Sequence, residues 1–128
     1  MVAPVVPALT DHELETILQA AADAGAVAAS SIVLRLPREV ATLFRDWLVE
    51  HYPDRAARVM GRVRELHGGK DYDPNFGTRM TGQGEWAAMM QQRFKLTARK
   101  LGLDRSLPAL RPDLFSKPPV AGDQLRLL

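Results

Sequence analysis

Only two stretches of this chain, Val2–Val6 and Ser31–Leu36, read as β-strands, and both are short and almost wholly apolar. A continuous apolar strand, as opposed to an alternating one, belongs to a parallel sheet with both faces covered. Parallel neighbours need a long crossover, and one amphipathic helix lies between these two, so the pair forms a right-handed βαβ unit. Two parallel strands cannot close a barrel, and their outer edges would be unpaired. About four helices accompany the two strands, the first of which starts at residue 2. The sequence therefore reads as the end of a sheet whose earlier strands lie elsewhere. The expected fold class is α/β: an incomplete parallel sheet of about two strands with covering helices.

The helices follow from periodicity and punctuation. Thr10-Asp11-His12-Glu13 fits a capping box, with the Thr hydroxyl and the Glu carboxylate each satisfying an orphan amide. Leu14, Ile17, Leu18 and Ala21 then recur on one face, and Gly25 supplies a stop. A second helix runs from about Arg38 to His51 with Val40, Leu43, Phe44, Trp47 and Leu48 inward, and Pro53 follows it. A third starts near Asp54, points Ala56, Val59, Met60 and Val63 inward, and stops at Gly68-Gly69. Gly61 sits in its middle, where glycine costs about 1 kcal/mol against alanine, so a close backbone contact is expected there. A fourth runs from about Glu85 to Leu101, lined by Trp86, Met89, Met90, Phe94, Thr97 and Leu101 and closed by Gly102. An extended, proline-rich tail ends in Gln124-Leu125-Arg126-Leu127-Leu128.

Residues 67–84 have no helical period. They contain five glycines, a Pro74-Asn75 turn, and the interleaved Tyr72, Phe76 and Arg79. A loop of this length in a small domain is functional or disordered, and the aromatics favour an ordered, functional one. The natural division of the chain is thus 1–66, the β/α units, and 67–128, a C-terminal extension.

Composition removes whole classes of function. There is no cysteine, so no disulfide, zinc-thiolate site or iron–sulfur cluster can be held by this chain's own thiolates. Arg35 is the first cation, and Pro4 and Pro7 interrupt the apolar start, so no signal peptide is expected there. No run approaches the length of a membrane helix, and a cytoplasmic protein with no membrane partner is expected. The net charge of +2 is unevenly spread. Residues 1–37 hold one cation against four anions, a net of −3, and residues 38–128 hold sixteen cations against eleven anions, a net of +5. Arginine far outnumbers lysine, and its planar fork suits phosphate, so DNA or another nucleic acid is a candidate partner for the second half. The simpler alternative is a solvated basic surface.

Arg35 is the sharpest single candidate, the only charge in an otherwise apolar strand. A buried arginine is costly unless paired, so it should meet a carboxylate or phosphate, or lie at a strand end in water. Arg55, Arg58 and Arg62 fall at helical spacing and could track a phosphate backbone, as could Lys95 and Arg99, although such stripes are often solvated faces. Tyr72, Phe76 and Arg79 could stack on bases or wedge into a duplex, or simply pin the loop to the core. His12, His51 and His67 read as structural, with no third ligand near His12 and Glu15. There is no phosphate-binding glycine loop, no nucleophile elbow and no paired-carboxylate motif.

Taken in order, Val2-Ala3-Pro4-Val5-Val6-Pro7-Ala8-Leu9-Thr10-Asp11-His12-Glu13, Val33-Leu34-Arg35-Leu36-Pro37, the Arg/Gly-rich loop and the closing Gly122-Asp123-Gln124-Leu125 resemble a known family. They look like the C-terminal third of the radical S-adenosylmethionine proteins grouped with spore photolyase, often labelled DNA repair photolyases. The resemblance spans essentially the whole chain. It implies the C-terminal part of a partial (β/α)6 TIM-type barrel plus a helical, proline-rich extension. In that family, cysteines near the first strand hold a [4Fe–4S] cluster that cleaves S-adenosylmethionine. None of those cysteines exists here, so the chain would need a cluster-bearing N-terminal barrel portion as partner and would be inactive alone. By resemblance, the strand ends at Val6, Pro7, Arg35 and Leu36 would border the S-adenosylmethionine, and Tyr72, Phe76, Arg79, Arg55, Arg58 and Arg62 would face substrate. Ala8 departs from the family's usual glycine, which would hinder close approach. Two further readings remain open: a non-enzymatic nucleic-acid-binding module, and a small protein completing another chain's barrel.

Overall fold

A computed structural model describes residues 1–118. The elements run β1 (Val2–Val5), a 3-10 turn (Asp11–Glu13), α1 (Leu14–Asp23), β2 (Ser31–Val33), α2 (Val40–His51), α3 (Pro53–Leu66), α4 (Gly84–Lys100) and a 3-10 turn (Pro112–Leu114). The protein is α/β, with four helices and a two-stranded parallel sheet among the described residues. The Gly122-Asp123-Gln124-Leu125 motif and the last leucines lie outside those residues.

The strands pair in parallel, Val2 with Ser31 and Val5 with Val33, and β1 carries one extra residue between those pairs. Pro4 lies inside that irregular stretch and has no N–H to give the ladder, which is the situation a bulge accommodates. Both strands end sooner than their apolar runs. Val6 leaves the ladder because its N–H donates to the Thr10 hydroxyl at 3.0 Å and its carbonyl accepts from the amides of Leu9 and Thr10. The same bond overturns the expected capping box: the Thr10 hydroxyl is spent on Val6 and caps no helix, so a 3-10 turn precedes α1.

Adjacent residues feed two separate cores. Val5 and Val33 pack with Leu14 and Leu18 of α1, Leu66 of α3, and Trp86 and Met90 of α4. One residue further along each strand, Val6 and Leu34 pack with Leu9, Leu36, Leu48 of α2, and Val59, Met60 and Val63 of α3. A fully buried leucine or valine contributes roughly 1.5–3 kcal/mol, so both clusters matter to stability. Because α4 shares a core with β1 and α1, the 67–118 segment packs directly on the first β/α unit.

Three expectations need correction. The sheet is not covered on both faces, since Ala3 and Pro4 are exposed. The apolar stripe of α2 turns inward only in part: Leu48 is buried and Phe44 packs against the core, while Leu43 is 65% exposed and Val40 and Trp47 are each 39% exposed. The helix packs on α3 and reaches the strand ends through Leu48, and its aromatics gather together, with Phe44 and Tyr52 ring centroids 5.7 and 5.3 Å from Trp47. Gly61 makes no close contact, because a Cβ there would meet nothing within 4 Å. The close approach is at Gly82, whose Cβ would stand 2.7 Å from Leu66 Cδ2.

Candidate functional site

The region that gathers chemistry is the junction of β2 with the 67–84 loop, and Asp73 builds it. Its side chain is almost fully buried and accepts from the Asn75 amide at 2.9 Å, the Thr78 hydroxyl, and Gln83 Nε2 at 3.2 Å. The Thr78 hydroxyl, then the Asn75 amide, hold its carboxyl below the usual aspartate range. The chain then turns on Asn75 and Thr78 carbonyls, and the Gln83 amide donates to Leu66 at 3.0 Å. The loop is thereby ordered by its own hydrogen bonds.

Three contacts dock this loop on β2 and the two residues after it. The Val33 amide donates to the Met80 carbonyl at 3.0 Å. His67, 2% exposed at the end of α3, places Nε2 3.0 Å from the Leu34 carbonyl. A carbonyl only accepts, so Nε2 is the donor, and the buried Nδ1 has no hydrogen-bond partner. Arg35 Nη2 donates to the Tyr72 hydroxyl at 3.3 Å, with the guanidinium carbon 5.9 Å from the Tyr72 ring centre. Two residues singled out for unrelated reasons, a lone strand cation and a loop aromatic, thus meet.

The other candidates fall elsewhere. Phe76 is 86% exposed, with the Arg79 guanidinium 4.8 Å from its ring centre. Arg55 and Arg58 are exposed on α3, and Arg62 pairs with Glu65 one turn on. Val6, Pro7 and Leu36 are enclosed in the chain's own core, and both polar backbone groups of Val6 are taken up by Thr10 and Leu9. Ala8, in the turn after β1, has φ +59°, a left-handed conformation that favours glycine. Arg38, in the turn after β2, has φ +49°.

Asp71 joins Arg45 of α2 to Arg64 of α3, bonding Arg64 Nε at 2.9 Å. Arg93 of α4 grips both carboxylate oxygens of Glu15 at 2.8 and 2.7 Å and reaches the Asp11 carbonyl, tying α4 to α1. These pairs brace the scaffold. Sequence reasoning missed Asp73 and set His67 aside. The signal for Asp73 was present: Asp-Pro-Asn followed by Thr78 is the pattern of a side chain that closes its own turn.

Among the described residues no group of three or more His, Asp or Glu could hold a metal ion, and no helix is long and apolar enough to cross a membrane. Without cysteine, the chain does not fit a thiolate-bound cluster. A groove between β1 and the start of α1 is lined by Met1, Val2, Pro4, Glu13 and Ile17. No family model, curated protein or solved structure matches this chain.

Proposed function

We propose that this chain supplies the terminal two β/α units and a C-terminal extension of a larger parallel-sheet enzyme, of the radical S-adenosylmethionine type related to DNA repair photolyases. The observation that supports it best is the unequal state of the sheet's two edges. The far edge of β2 is occupied by the Met80 carbonyl, while among the described residues β1 pairs only with β2 and lines a groove. In a parallel barrel of sequential order, earlier strands join on the β1 side. The enzyme type rests on the motif resemblance alone. The cluster would belong to the rest of that enzyme, since the chain has no cysteine to hold it. This chain's share would be to fix the strand ends, with Val6, Pro7 and Leu36 locking them from behind and Arg35 offering the one charge. Sequencing the DNA upstream of the Met1 codon tests the reading. An in-frame Cys-x-x-x-Cys-x-x-Cys is the expected result. An in-frame stop there, with a chain that is monomeric and unfolds cooperatively, would sink it.

A nucleic-acid-binding role, within such an enzyme or alone, is favoured by the exposed Phe76 under Arg79 and by the unpaired Arg55 and Arg58. Fluorescence anisotropy with labelled single-stranded DNA should give salt-dependent binding that Arg55→Glu with Arg58→Glu abolishes. Binding unaffected by both reversals removes this role from α3.

A further inference from the structure

From the environment of Arg35 we infer that the junction of β2 and the 67–84 loop is a binding site for one oxyanion group, phosphate or carboxylate, of a ligand. The inference needs no second chain, because every group it uses is in this one.

Among the described residues, Arg45, Arg62, Arg64, Arg93 and Arg111 each pair with a carboxylate. Arg35 is half-buried and pairs with none; its one hydrogen-bond partner is the neutral hydroxyl of Tyr72. Its Nε is sealed from solvent and unpartnered, while Nη1 has no protein partner and is not sealed. A half-buried cation without a counter-charge is destabilising unless something else supplies the charge. Tyr72 cannot, but its hydroxyl is still free to donate while it accepts from Arg35, so an oxyanion set against Nη1 gains a second donor. Arg79, whose guanidinium lies over the Phe76 ring, is not part of this site. The scaffold beneath is rigid: Asp73 fixes the loop, and the His67 bond to Leu34 fixes the strand one residue before Arg35. Asp71, the nearest loop carboxylate in sequence, is engaged by Arg45 and Arg64 and does not neutralise Arg35.

The test is a titration of the 15N-labelled chain with sodium phosphate and, separately, sodium acetate, against sodium chloride at matched ionic strength. The readouts are the Arg35 Nε–H resonance and the thermal midpoint. A saturable shift with phosphate, acetate or both is expected, and the two arms assign the group as phosphate or carboxylate. Arg35→Gln should weaken binding by about tenfold or more, and Tyr72→Phe by roughly threefold to tenfold, the effects of losing a charged and a neutral hydrogen bond. Tyr72→Phe removes only a hydroxyl and decides the matter if Arg35→Gln does not fold. The site is overturned if neither anion acts beyond chloride, or if Tyr72→Phe responds as the wild type does.

Discussion

The amide of Val33 donates to the carbonyl of Met80 at 3.0 Å, which places a loop residue where a third strand would otherwise continue the sheet. That bond is held from a distance. Asp73 closes the turn that delivers Met80, and Gly82 allows the chain to pass against Leu66 immediately afterwards.

Replacing Asp73 by Ala removes one acceptor from three donors at once, two of them beside the turn. The expected result is a lower urea midpoint and about tenfold faster amide exchange at Val33, with α1 amides much less affected. Equal acceleration everywhere would mean the loop does not protect β2 separately.

Gly82→Ala and Gly61→Ala should move stability in opposite directions. At Gly82, φ is +74° and a Cβ would clash with the fully buried Leu66, so a loss of about 2–4 kcal/mol is expected. At Gly61 the space is open and the backbone helical, so a gain of about 1 kcal/mol is expected. Urea unfolding of the two variants measures both.

Ala8→Gly should stabilise the protein by about 1 kcal/mol, because φ +59° strains any residue with a Cβ. A variant less stable than wild type in the same urea assay would show that the Ala8 methyl is needed for packing.

Acid should weaken the fold through two carboxylates held below their ordinary values, Glu15 (4.5) mainly by its Arg93 bond and Asp73 (3.8) mainly by the Thr78 hydroxyl. The native state binds fewer protons than the unfolded chain there, so their contribution is complete above those ordinary values. It is lost as pH falls below them and through the lower folded pKa values. Urea midpoints between about pH 6 and 2.5 should decline, less steeply for Arg93→Met, which frees Glu15. An unchanged slope in that variant would exclude the Glu15 pair as a source of acid sensitivity.

Much of the fold was legible in the sequence, and the reasons are local. Apolar β-branched runs and amphipathic periods located both strands and all four helices within a few residues. Failures arose where a group had two possible partners. Thr10 chose Val6 over the helix, and the α2 stripe is covered along Leu48 and Phe44 but not along Leu43. Of the candidate site, Arg35 and Tyr72 were each visible as anomalies of their own segment, but their meeting is a long-range fact that no spacing encodes. His67 was invisible as a linker because its partner is a backbone carbonyl, which every residue carries.

Neighbouring residues send their side chains into different cores: Val5 and Val33 into one, Val6 and Leu34 into the other. A slip of either strand by a single residue would therefore misplace apolar groups in both clusters together. Two short strands held by few hydrogen bonds would ordinarily tolerate alternative alignments. Here the alignment is enforced twice, so partial melting of one cluster cannot be relieved by sliding, and α1, α2, α3 and α4 should lose structure in one concerted transition.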